Sequence, residues 1–234
     1  MKAVILSALL LTSGLAFGEA PCPAKCQGPS STPDKITLSK IDSTPACLTR
    51  KNDESNEEII QREKLTDFEV LARLVFAEGI STNLNKCSKY EDSLFASLAW
   101  GVQNRVALSA AQPRYAKQFG KGLHGVIFKK AQFNPAVSKK SSYSRLFLCP
   151  SEHPQWQRLW ELSKKAADQA LSHPQKNPLP KSVTHFYYPQ STQATNPPVT
   201  WADLNKDAAK KAYMKDVKIE GTRYSNECIQ FFSY

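Results

Sequence analysis

Residues Thr66 to Gly79 read T-D-F-E-V-L-A-R-L-V-F-A-E-G. Thr66 and Glu69 have the S/T-x-x-E spacing of a capping box, in which hydroxyl and carboxylate satisfy each other's free backbone N–H groups, so a helix opens here. Phe68, Leu71, Ala72 and Val75 recur at the spacing of one buried stripe, and Gly79 is the residue expected just past the helix end. Glu78 follows Val75 by three residues and Leu71 by seven, so a lone carboxylate is delivered to the C-terminal tip of an apolar face. Burial and the negative end of the helix dipole both disfavour its ionised form, which suits a general acid working near neutral pH. The competing reading is a rim glutamate that reaches water or pairs with a lysine.

Working outward to the N-terminus, Lys2, the apolar run Ala3 to Leu11 and the small residues Ala16, Gly18 and Ala20 have the three regions of a secretory signal peptide over residues 1–20. The chain is therefore expected to be secreted or periplasmic. No stretch approaches the ~20 apolar residues of a membrane anchor. The formal charge is +10, and a leader carrying one lysine and one glutamate takes none of it away. A basic exported protein is matched to an anionic partner: nucleic acid, anionic lipid or acidic wall polymer. Lys129, Lys130, Lys139 and Lys140 flank Gln132-Phe133-Asn134 and would make one basic patch, against which stands an ordinary solvated surface.

The six cysteines, Cys22, Cys26, Cys47, Cys87, Cys149 and Cys228, form an even set in an exported chain, so disulfides are expected; the pairing stays open. His124, His153, His173 and His185 are scattered, and no second close cysteine pair accompanies Cys22 and Cys26, so neither a metal nor another cofactor is expected. Residues 21–63 read as an N-terminal arm: Pro, Ser and Thr dominate as far as residue 50, and an acidic segment with a possible short helix, Asp53 to Glu63, follows. Residues 64–234 read as one domain. Within it a polar loop covers residues 80–92 and a helix runs from Ser93 to Val106, where Gly101 permits close approach of a neighbouring helix. A loop punctuated by Pro113 and Gly120 comes next, then a short helix Leu123 to Lys130 and a longer one opened by Pro154. Val183 to Tyr188 is aromatic and β-branched enough for a strand, residues 208–215 are helical, and the last twenty form a hairpin or extended tail. The fold class is mainly α with a small β element, disulfide-stabilised.

The order of these pieces resembles the catalytic domain of the spore cortex-lytic cell wall hydrolase family typified by SleB. The likeness runs over Leu71 to Glu78 (L-A-R-L-V-F-A-E), Ala99 to Val106 (A-W-G-V-Q-N-R-V) and Val126 to Phe133 (V-I-F-K-K-A-Q-F). It continues through an alanine-rich helix to Thr184 to Tyr187 (T-H-F-Y) and Pro198 to Trp201 (P-V-T-W). The resemblance implies a lysozyme-like helical domain acting on the glycan strand of peptidoglycan, at the β-1,4 link between N-acetylmuramic acid and N-acetylglucosamine. The chain is expected to be a monomer, and with no metal-ligand or histidine-centred arrangement beside its basic charge no nucleic-acid partner is expected. It makes Glu78 the catalytic acid and Gln132, Phe133, Tyr187, Tyr188 and Asn104 candidate substrate contacts. Asn104 and the neighbouring Arg105 have bracing of the helix pair as their alternative role.

In the lytic transglycosylase version one carboxylate suffices: it protonates the glycosidic oxygen, then takes the proton of the muramoyl 6-hydroxyl. Hydrolysis normally uses a second carboxylate, at about 5 Å for retention or about 6.5–9.5 Å for inversion. Gly79-Ile80-Ser81 supplies none, and Glu91, Asp92 and Asp203 have no positional warrant, so the transglycosylase outcome is preferred. A hydrolytic muramidase with a taste for modified glycan, and a non-catalytic wall-binding protein, are the alternatives. Departures from the family pattern lie in the long loop with Cys87 and in a C-terminal segment, Glu220 to Cys228, that lacks the family's histidine.

Overall fold

In a computed structural model, the described residues are 44–81, 87–190, 198–219, 222–223 and 225–233. They lie in one compact unit, Ser43–Tyr234. Residues 1–20 with their signal-peptide pattern, Cys22 and Cys26 fall outside the described residues. Residues 44–63, read from sequence as the end of the arm, instead belong to this unit. Helix α1 (Asn56–Arg62) is opened by a Ser55/Glu58 capping box. It buries Ile59 and Ile60 completely, and the Asn56 amide donates to the Pro135 carbonyl (3.1 Å) and to Ser144 Oγ (2.8 Å).

Helix α2 (Asp67–Ile80) starts at the expected Thr66/Glu69 box but ends later than predicted. Gly79 is not its stop signal. Ser81 terminates it, and Gly79 lies inside the last turn because the ring of Phe95 occupies the place of its missing side chain; a Cβ there would stand 2.5 Å from the ring. Leu71, Ala72 and Val75 are buried as the stripe predicts, but so are Arg73, Leu74, Phe76 and Ala77. The helix is thus interior on nearly all sides rather than amphipathic, packed against α3 (Glu91–Ala111), α7 (Ser142–Leu148) and α8 (Trp156–Ser172).

Helix α3 is longer at both ends than the predicted Ser93–Val106, and Ser88–Tyr90 forms a 3₁₀ turn before it. Two further helices stand where the sequence reads as loop or is silent: α4 (Pro113–Phe119), with proline in its first turn, and α7. The shorter α5 (Gly122–Ile127) and α6 (Asn134–Val137) lie between them. Strand β1 (Val183–Tyr187) pairs antiparallel with the C-terminal β4 (Gln230–Ser233), matching Phe186 to Phe231 and Tyr187 to Gln230. A two-residue pair, β2 (Lys218–Ile219) and β3 (Thr222–Arg223), follows helix α9 (Asp207–Ala212). Gly101 does admit a close neighbour, but it is β1 rather than a helix: a Cβ there would stand 2.2 Å from the Phe186 ring.

Among the described residues two disulfides are formed, Cys47–Cys149 and Cys87–Cys228, with sequence separations of 102 and 141 residues. The first lies beside Arg73, which donates to the carbonyls of Leu148 (2.9 Å) and Ala46 (2.8 Å) and so ties the N-terminal segment to the end of α7. The second joins the approach to α3 with the segment before β4. Closing so long a loop removes much conformational freedom from the unfolded chain. The double variant Cys87→Ser/Cys228→Ser is therefore expected to lose about 2–5 kcal/mol in denaturant unfolding. An unchanged midpoint would show that packing alone holds the C-terminal strand.

Candidate functional site

Glu78 is carried on the last turn of α2, where the Ser81 amide (3.0 Å) and hydroxyl (2.6 Å) both donate to its main-chain carbonyl. Its side chain is half-buried, and among the described residues its carboxyl makes neither a hydrogen bond nor an ion pair. Burial is the chief cause of a pKa pushed up to about 7; the charge of Arg105 opposes the shift without cancelling it. A carboxyl that is protonated near neutrality and uncommitted to the protein is free to donate to a ligand.

Arg105 is buried on α3 and is held on every side. Its Nε donates to the Thr184 carbonyl (2.7 Å) and its Nη1 to Gln132 Oε1 (2.8 Å). The guanidinium lies over the rings of Phe133 at 4.6 Å, Phe119 at 5.7 Å and Phe186 at 5.9 Å. Burial lowers its pKa to about 10, so it remains a cation at neutral pH. The positive charge of Arg105 acts on Glu78 in the direction opposite to burial. Glu91 instead pairs with Arg158, and Asp203 accepts from the amides of Asn205.

The predicted contact residues divide. Gln132 and Tyr187 are half-buried and retain surface toward solvent. The Gln132 carbonyl is taken by Arg105, which turns its NH₂ group away from the guanidinium. Phe133 is 2% exposed and Tyr188 7% exposed, so neither ring is placed to stack on a sugar. Phe133 supports Arg105, and Tyr188 packs against Phe186. Asn104 also has another task. Its Nδ2 donates to the carbonyls of Pro180 (3.0 Å) and Val183 (2.7 Å), while its Oδ1 accepts from Asn177 (2.8 Å). It fastens α3 to the start of β1, a bracing role directed at the strand rather than at the partner helix.

Two residues that the sequence marks only as parts of larger patterns stand beside this group. His185 packs between Phe119 (5.9 Å) and Trp201 (5.3 Å), and its Nδ1 is 2.9 Å from Thr184 Oγ1. Burial, seconded by the charge of Arg105, pulls its pKa down to about 4, so the imidazole is neutral at physiological pH. Trp201 is the other. The signal for both was the density of aromatic residues in T-H-F-Y and P-V-T-W, which does not by itself tell an inward ring from an outward one.

Of the four lysines of the proposed basic patch, Lys139 is engaged with Asp53 (2.9 Å). No helix among the described residues is long and apolar enough to cross a membrane. No protein-family model matches the chain, and neither a curated protein nor a solved structure matches it.

Proposed function

We propose that the chain is an exported glycosidase that cleaves peptidoglycan at the bond between N-acetylmuramic acid and N-acetylglucosamine, with Glu78 as its single catalytic acid. The observation that carries this reading is the carboxyl itself: half-buried, uncommitted, and raised to about 7 at the end of an interior helix. The order of motifs that resembles the SleB-type hydrolases supports it, as does a mainly helical domain with a small sheet, which is compatible with a lysozyme-like fold. Two disulfides suit an oxidising compartment outside the cytoplasm.

In this reading the protonated Glu78 gives its proton to the glycosidic oxygen as the bond to the muramoyl C1 breaks. The carboxylate so formed takes the proton of the muramoyl 6-hydroxyl, whose oxygen closes on C1 to give a 1,6-anhydro sugar. The same group thus ends the cycle protonated, and no second carboxylate is required. The segment Gly79-Ile80-Ser81, which supplies no second carboxylate, favours this route over hydrolysis. Arg105 is a fixed positive charge that stabilises the carboxylate between the two transfers, and its shift of Glu78 is in that sense.

Mass spectrometry of fragments released from purified sacculi tests the proposal. Muropeptides ending in 1,6-anhydromuramic acid support it. Reducing muramic ends would replace the transglycosylase with a hydrolytic muramidase, and no release at all, with retained binding to sacculi, would replace the enzyme with a wall-binding protein.

A further inference from the structure

Trp201 is the one large hydrophobic side chain among the described residues that stands exposed, at 43% of its surface. It is not loosely placed. Phe232 meets it edge-on at 5.5 Å and 90°, Tyr187 at 6.4 Å and 88°, and His185 lies tilted against it at 5.3 Å. Phe232 is itself buried, in a small apolar cluster with Ala202 and Ala209. An indole braced by three rings while part of its surface faces water has been ordered without being hidden, which is the condition of a binding platform rather than of a core residue.

We infer that Trp201 is a sugar-stacking platform, receiving the apolar face of a pyranose ring of the glycan strand. The inference rests on the glycosidase reading above. Continuity with the group around Arg105 supports it: the indole packs on His185, His185 packs on Phe119, and the Arg105 guanidinium lies over Phe119. The size of the exposed surface supports it too. A docked protein needs an apolar patch many side chains wide, whereas a single ring matches a single sugar, whose C–H face is apolar and whose rim is polar. Stacking passes in this way from the buried Phe133 and Tyr188 to Trp201.

Tryptophan fluorescence gives a direct readout, because Trp100 and Trp160 are buried and Trp156 is half-buried, leaving Trp201 as the exposed emitter among the four. The probe is a set of soluble glycan oligomers prepared from sacculi, titrated into the full-length Glu78→Gln protein so that no cleavage intervenes. A blue shift on binding is expected, with acrylamide quenching suppressed. Adding Trp201→Ala should abolish the shift and weaken binding about tenfold, and Trp201→Phe should restore part of the affinity. With Glu78 intact, Trp201→Ala should raise KM about tenfold and leave kcat within about twofold. Unchanged affinity and KM in Trp201→Ala would overturn the platform, and so would a fall in kcat alone. Failure of the glycosidase reading is recognised separately, by a wild-type protein that releases no fragments while the oligomers still bind and shift the emission.

Discussion

Glu78→Gln is expected to lower fragment release from sacculi by about 10²–10⁴-fold while the protein stays folded, since the amide keeps the shape of the carboxyl but has no proton to give. Wild-type turnover should fall as pH rises through about 7, where the acid form is lost. The same substitution has a stability signature with a definite sign. The folded-state pKa of Glu78 lies above the ordinary glutamate value of 4.5, so the native state holds an extra proton between roughly 4.5 and 7. Stability from this group is therefore present at low pH and is lost as pH rises through that window. Glu78→Gln, which does not titrate, should gain in melting temperature relative to wild type between pH 5 and pH 8. Thermal melts at the two pH values measure it. A constant difference between the proteins would mean that Glu78 titrates as an ordinary surface carboxyl, and the proposed acid would go with it.

The second large effect belongs to Arg105. Arg105→Ala removes the donors that serve the Thr184 carbonyl and Gln132 Oε1, and empties the space between the Phe119, Phe133 and Phe186 rings. Unsatisfied polar groups and a cavity together should cost about 3–5 kcal/mol in denaturant unfolding. Arg105→Met fills more of that space and isolates the electrostatic part. With the positive charge gone, Glu78 should hold its proton to higher pH and the alkaline limb of the activity profile should move upward. A limb that stays in place would show that Arg105 is scaffolding alone.

What could be read in advance follows the range of the interactions involved. The start of α2 was legible because the Thr66/Glu69 box is local, complete within four residues, and it is formed as predicted. The end was not. A glycine after an apolar stripe can signal a terminus or a close approach, and only the position of Phe95, sixteen residues further on, decides between them. Glu78 was legible as a carboxyl on a buried helix face, though the helix proves interior on nearly all sides rather than along one stripe. The aromatic contacts were not, since Phe133, Tyr188, Tyr187 and Trp201 are all aromatic and their exposure depends on tertiary neighbours. The same holds for Asn104, whose partners Asn177, Pro180 and Val183 lie more than seventy residues away. The short helices α4 and α7 went unread because so few turns carry little periodicity.

The contact between Gly79 and Phe95 sits one residue from the proposed acid. A methyl group at position 79 would act as a wedge between two helices at the turn that aims Glu78, tilting the carboxyl without altering a single charged or polar group. The alignment of the reacting group is thereby entrusted to a side chain that does not exist.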